Sequence, residues 1–328
     1  METEKSSNLN LNSNIAFVFP GQGSQHIGMG KDFFENFSEA RRVLEESSDV
    51  LKQDMKDLIL GGDESALNLT ENTQPALLTV SVAILRVIEK EFGLKPKCVS
   101  GHSLGEYTAN VSAGSIDFNY ALLIVKKRGL FMQTACPVGF GKMAAVIGLD
   151  EGIIKNVIKE VNTSKNEEGV FIANLNSSVQ TVISGISSFI DETCALLKEK
   201  GAKKIVTLPV SAPFHTPFMA KAKENLSSFI DPSRFNDAGF EIFSNATSLN
   251  YFKKDDAVRL LLEQITSPVM WKDLVINMEK ISGVAKFIEI GPSNGLSGLI
   301  KRIDKSADAV SVNSVDSLKE LEKIKLEN

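Results

Sequence analysis

"MAAVIGLDEGIIKNVIKEV", residues 143–161, passes from a strand-like run of small and β-branched residues into apolar residues spaced for a helix, with Asp150 placed to cap the junction. "GVFIANL" (169–175) and "QTVISGI" (180–186) follow as strands. "SSFIDETCALLKEKGA" (187–202) reads as a helix with a Ser-x-x-Asp start and a Gly201 stop, and "KKIVTLPV" (203–210) closes as a strand. The order is βαββαβ, that of a split βαβ or ferredoxin-like unit. It predicts a small domain over about 139–209, inserted between two segments of a larger one.

The flanking segments alternate strand and helix. "IAFVFP" (15–20) is a strand, 32–60 is patterned as helix, and "NTQPALLTVSVAILRVIEKEFG" (72–93) is apolar nearly all round, which predicts a buried helix capped by Asn72 or Thr73 with Pro75 in its first turn. "KCVSGHS" (97–103) is a short strand running into a sharp turn and a helix from Gly105. After residue 211 come strand "FEIFSN", a helix over 255–265, strand "KFIEI", a helix over 295–303, strand "AVSV" and a charged final helix. Such alternation predicts an α/β sheet with mostly parallel strands over 15–138 and 210–328.

Bulk properties narrow the function. The 328 residues carry a net charge of −5, which argues against a nucleic-acid binder. Three scattered cysteines suggest neither a disulfide framework nor a metal site. The longest apolar stretch, 76–88, is too short for a membrane span and contains Arg86. Residues 1–14 are polar and lack arginine, so a disordered tail and a cytoplasmic protein are expected.

"FPGQGSQHIGMG" (19–30) places glycines between a strand and a helix, yet His26 breaks the third position of a dinucleotide fingerprint and no Gly-Lys-Ser/Thr follows. A tight turn with exposed backbone N–H groups remains. The pattern G-x-S-x-G of a nucleophile elbow occurs twice, around Ser103 and around Ser293. Pro292 removes a backbone donor from the second, which favours Ser103. A serine nucleophile needs a base, and of the three histidines His215, in the Pro-punctuated loop "VSAPFHTPFM", is best placed to hang over Ser103. No triad acid stands out: Asp191 and Glu192 read as the exposed face of an inserted helix. Arg128, in "VKKRGLFMQ", has an apolar setting suited to a cleft and a substrate carboxylate, unlike Lys126 and Lys127. A serine esterase or thioesterase, and a nucleotide-binding module using the glycine loop, stay open on these residues alone.

"FPGQGSQ", "TQPAL", "GHSLGEYTA", "KKRGLFMQ", "MAAVIGL", "NSSVQTVISG", "PFHTPFM" and "EIGPSNGLSGL", in this order from about 15 to 303, resemble the malonyl-CoA:acyl carrier protein transacylases. The resemblance implies an α/β-hydrolase-like large subdomain with a ferredoxin-like insertion, and ping-pong malonyl transfer to acyl carrier protein in fatty acid synthesis. It implies Ser103 as nucleophile, His215 as base, Arg128 on the malonyl carboxylate, and backbone N–H groups of Gln22 and Leu104 as oxyanion donors. It further implies Gln264 as the residue orienting the histidine, and Gln74 and Phe214 in the pocket wall. No cofactor or metal is expected. The partners expected are malonyl-CoA and an acidic, phosphopantetheinylated carrier protein, met by a monomer. Ser293 stands where that family usually has glycine, which fits a structural serine.

Overall fold

The computed structural model describes residues 14–210 and 212–327. Apart from Asn14, the expected tail lies outside the described residues. Among the described residues ten strands form two sheets: β1 (Ile15–Phe19), β2 (Cys98–Gly101), β3 (Gly141–Ile147), β4 (Val170–Ser177), β5 (Gln180–Ile186), β6 (Lys204–Thr207), β7 (Glu241–Phe243), β8 (Asn250–Tyr251), β9 (Lys286–Ile290) and β10 (Asp308–Val312). One sheet has the order β10-β9-β1-β2-β7-β8 and is parallel except for the β7–β8 edge. The other, β4-β5-β3-β6, is antiparallel throughout and carries two helices in the expected βαββαβ order.

The parallel sheet is covered on both faces, as such sheets must be. Along β1, Ile15, Phe17 and Phe19 join the core on one face while Ala16 and Val18 join the core on the other, which is built around Trp271. A third core, with Val146, Ile154, Val157 and Ile190, fills the space under the small sheet. From β1 the chain builds outward to β2 on one side and to β9 on the other. A parallel sheet that switches direction there opens a crevice at the carboxyl ends of its strands.

Three local expectations are corrected. Helix over 32–60 is two helices, Lys31–Asn36 and Ser38–Leu51, because Phe37 is extended and Lys52 adopts a left-handed conformation; a π-helical turn follows at Asp57–Gly61. The buried helix begins at Thr70, with Leu69 at the cap position. Thr73 instead donates its hydroxyl to the carbonyls of Leu67 and Leu69, and the Asn72 side chain accepts from Lys126. The helix Ser187–Glu199 has Ile186 at its cap position and no side-chain cap, and the Ser187 hydroxyl is turned to the carbonyls of Gly139 and Phe140. Asp150 does cap its helix, accepting from Gly152 N–H at 2.8 Å.

Main-chain hydrogen bonds join the small sheet to the loop before the helix Trp271–Ser282. Leu175 of β4 donates to Val269, and Val269 donates back to Ala173 at 2.8 Å.

Candidate active site

The loops after β1 and β2 meet at the crevice. Phe19 pairs with Gly101 in register, and His102 N–H continues the ladder to Phe19 carbonyl at 2.9 Å. Ser103 then takes φ 51, a conformation L-residues rarely adopt, and the helix Gly105–Ser112 starts at once. The glycines make this turn possible. A Cβ on Gly101 would lie 2.0 Å from Gly105 backbone, one on Gly105 would lie 2.0 Å from the Phe19 carbonyl oxygen, and one on Gly21 would lie 2.3 Å from the His102 carbonyl oxygen. The glycine loop is therefore needed for close approach of backbone to backbone.

Ser103 Oγ is 2.8 Å from His215 Nε2 and 3.1 Å from Arg128 Nη2. A guanidinium can only donate, so the hydroxyl proton is directed at the imidazole. His215 Nδ1 lies 2.9 Å from the main-chain carbonyl of Gln264, which can only accept. Nδ1 thus carries the ring proton and Nε2 presents its lone pair. Burial, and then the Arg128 charge, push the His215 pKa down to about 3, so the ring is neutral across the working range.

Arg128 is 1% exposed on the helix Phe118–Thr134, its guanidinium 5.3 Å from the Tyr107 ring centroid. Gly129 brings that helix in, since a Cβ there would lie 2.5 Å from the Thr70 carbonyl oxygen. Nη2 also donates to Gln264 Oε1 at 2.7 Å, while Nε is buried with no partner among the described residues. Lys126 is engaged by Gln53 and Asn72, and Lys127 stacks over Phe229, so of the three basic residues Arg128 faces the cavity.

These groups line a cavity of about 90 Å³ together with Gln22, Gln74, Leu104, Met132, Met143, Phe214 and other residues. Neither Gln22 N–H nor Leu104 N–H donates to an acceptor among the described residues. Gln74 Oε1 is buried with no hydrogen-bond partner among the described residues. Seven of the eight residues singled out in the sequence line this cavity, and the eighth, Gln264, lies behind it against Ser103 and Arg128. Gln264 meets the histidine through its main-chain carbonyl, and its amide binds Arg128, Ser103 carbonyl and Glu106.

Ser293 donates to the Glu289 carboxylate at 2.7 Å and meets no histidine among the described residues. His26 is exposed outside the cavity. Asp191 and Glu192 pair with Lys142 and Lys165 on the surface. His102 bonds Asn176 of β4 at 2.8 Å and packs on Trp271. Among the described residues no cluster could hold a metal ion, and no helix is long and apolar enough to cross a membrane.

Two site residues escape sequence reading. Asn245 accepts from Ser103 N–H at 2.6 Å and donates to Gly101 carbonyl at 2.7 Å. Glu106 is fully buried behind Gln264, and burial pushes its carboxyl up to about 7. A signal for Glu106 existed: an acidic residue in the first turn of a helix otherwise suited to burial. Asn245 at the end of a strand carries none.

A serine, a histidine and a buried arginine around one cavity, at the carboxyl ends of a parallel sheet, define an acyl-transfer class of site. A family model for the acyl transferase domain matches residues 16–320, and the chain belongs to this family. It is 42% identical over 308 residues to the malonyl CoA-acyl carrier protein transacylase of Bacillus subtilis (strain 168), covering 93% of this chain and 95% of that one. The Staphylococcus aureus (strain COL) counterpart is 38% identical, with 94% and 98% covered. The fold is that of the solved malonyl CoA-acyl carrier protein transacylase of Clostridium perfringens, at 38% identity and TM-score 0.90 over 96% of this chain and 98% of that one. A malonyl-transacylase solved in complex with its type II PKS acyl-carrier protein gives 38% identity and TM-score 0.90, over 96% of this chain and 100% of that one.

Proposed function

We propose that the chain moves a malonyl group from coenzyme A to the phosphopantetheine thiol of an acyl carrier protein, through a malonyl ester on Ser103. The observation that carries this reading is Arg128: a buried cation 3.1 Å from the nucleophile, with one N–H unpartnered, suits an acyl group that ends in a carboxylate.

His215 Nε2 takes the Ser103 proton as Oγ attacks the thioester carbonyl. The oxyanion forms against the N–H groups of Gln22 and Leu104, each donor of this kind being worth about a hundredfold to a thousandfold in turnover. The carbon–sulfur bond breaks, and the imidazolium returns its proton to the departing thiolate. In the second half His215 deprotonates the carrier thiol, which attacks the ester, and Ser103 recovers its proton. Charged hydrogen bonds from Arg128, about 1.5 to 3 kcal/mol each, favour malonyl over acetyl by one to two orders of magnitude. The apolar wall, including Met132, Met143 and Phe214, limits competing water.

A second cavity of about 550 Å³ shares Gln22 and His102 with the first and reaches Gln180 and Arg302, which gives the pantetheine arm a route. Ile147 pairs with both Gln180 and Lys204, so the exposed Lys203 and Lys204 sit about 10 Å from Gln180, to which Arg302 also reaches. With Lys301 they form a basic rim for an acidic carrier protein. We read 139–209 as an inserted subdomain in a catalytic subdomain of 15–138 and 210–328, acting as a cytoplasmic monomer in fatty acid synthesis.

Intact mass after mixing with malonyl-CoA tests the reading: a malonyl adduct on the wild type and none on Ser103→Ala is expected. An unmodified wild type would refute it.

A further inference from the structure

Glu106 has no part in the steps above, yet it stands at the centre of the site's hydrogen bonding. Its Oε2 accepts from Gln264 Nε2 at 2.6 Å and from Asn245 N–H at 3.1 Å. Each partner reaches a reacting group on its other side. Asn245 Oδ1 accepts from Ser103 N–H, and its Nδ2 donates to Gly101 carbonyl. Gln264 donates to Ser103 carbonyl at 2.9 Å, accepts from Arg128 at 2.7 Å, and holds His215 by its own main-chain carbonyl. One carboxylate oxygen is a single residue removed from the serine, the guanidinium and the imidazole.

Glu106 Oε2 takes the Asn245 N–H, a group that can only donate, so it accepts from Gln264 in either charge state of the carboxyl and orients the Gln264 amide. Its NH₂ faces two acceptors, Glu106 and Ser103 carbonyl, and its oxygen therefore faces Arg128. A neutral amide at position 106 could turn its own NH₂ towards Gln264, invert it, and set two donors face to face at Arg128. The Gln264 amide also stands between the carboxylate and the guanidinium, which leaves Arg128 available to a carboxylate from outside.

We propose that Glu106 is a positioning residue for acyl transfer: through Gln264 it aims Arg128 at the substrate carboxylate, and through Asn245 it holds the elbow that presents Ser103. The Arg128 half rests on the malonyl reading above.

The test uses the whole enzyme carrying Glu106→Gln, with two readouts taken per folded protein by near-ultraviolet circular dichroism. The ratio of malonyl to acetyl loading on Ser103 reports the Arg128 arm. The rate of Ser103 phosphonylation by a neutral fluorophosphonate reports the elbow arm and needs no arginine. The ratio is expected to fall about tenfold and phosphonylation about fivefold. A purely structural role changes the folded fraction alone; either readout within about twofold of wild type overturns its arm. If the wild type is never malonylated, the malonyl reading fails, and the phosphonylation arm still decides the elbow. If Glu106→Gln does not fold, Glu106→Asp, which keeps the carboxyl but shortens the reach, is expected to show both losses in a folded protein.

Discussion

At the scale of single residues, the site combines groups whose ionisation burial has shifted in opposite directions. His215, held neutral, can accept a proton at any working pH. His215→Ala is expected to slow Ser103 acylation by about a hundredfold to ten-thousandfold, measured by intact mass in single turnovers. Arg128→Ala should lose malonyl loading while acetyl loading survives; equal loss of both would remove the arginine from substrate selection. Glu106 titrates near 7 when folded and at its model value of 4.5 when exposed, so the folded state binds the extra proton between these values. Its contribution to stability is therefore lost as pH rises through that window. Glu106→Gln should gain on the wild type by up to about 3 kcal/mol between pH 4.5 and 7.5 in denaturant melts. An unchanged difference across that range would show the carboxyl is not shifted. Ser103, His215 and Arg128 were legible because chemistry demanded those side chains beside an elbow, a Pro-rich loop and an Arg-Gly pair. Asn245 and the carbonyl of Gln264 were not, because they act through long-range contacts that no local spacing records.

At the scale of elements, strands and long helices followed from hydrophobic period, whereas their ends followed from contacts. The helix Thr70–Phe92 starts two or three residues before its best capping side chains because Leu67 and Leu69 carbonyls and Lys126 claim them. Where a cap was local it was readable. Asp150→Ala should cost about 1 kcal/mol in thermal or denaturant unfolding without changing Ser103 acylation. The elbow is less forgiving. Gly105→Ala drives a methyl into the Phe19 carbonyl, and a loss of about 3 kcal/mol or more together with loss of acylation is expected. A stable, active Gly105→Ala would mean the turn is looser than its close contacts indicate.

At the scale of the whole molecule, the antiparallel sheet is fastened through β4 to the loop at Val269, five residues beyond Gln264, and through Asn176 to His102 beside the nucleophile. The βαββαβ order was plain from the sequence; this stitching was not, since a single-residue bridge leaves no period. The basic rim belongs to the same scale. Replacing Lys203 and Lys204 by alanine should lower transfer to the carrier protein about tenfold at low salt, leave loading from malonyl-CoA intact, and flatten the salt dependence of transfer. No change at low salt would place docking elsewhere. The interlocked glycines also sort the positions open to engineering. At Gly21, Gly101 and Gly105 one carbon atom already overfills the space, so a variant library spread over the loops would be spent on misfolded clones. Met132, Met143, Leu208, Val210 and Phe214 line the cavity from other segments, and changing their bulk offers a way to admit unnatural building blocks while the turn that presents the hydroxyl stays as it is.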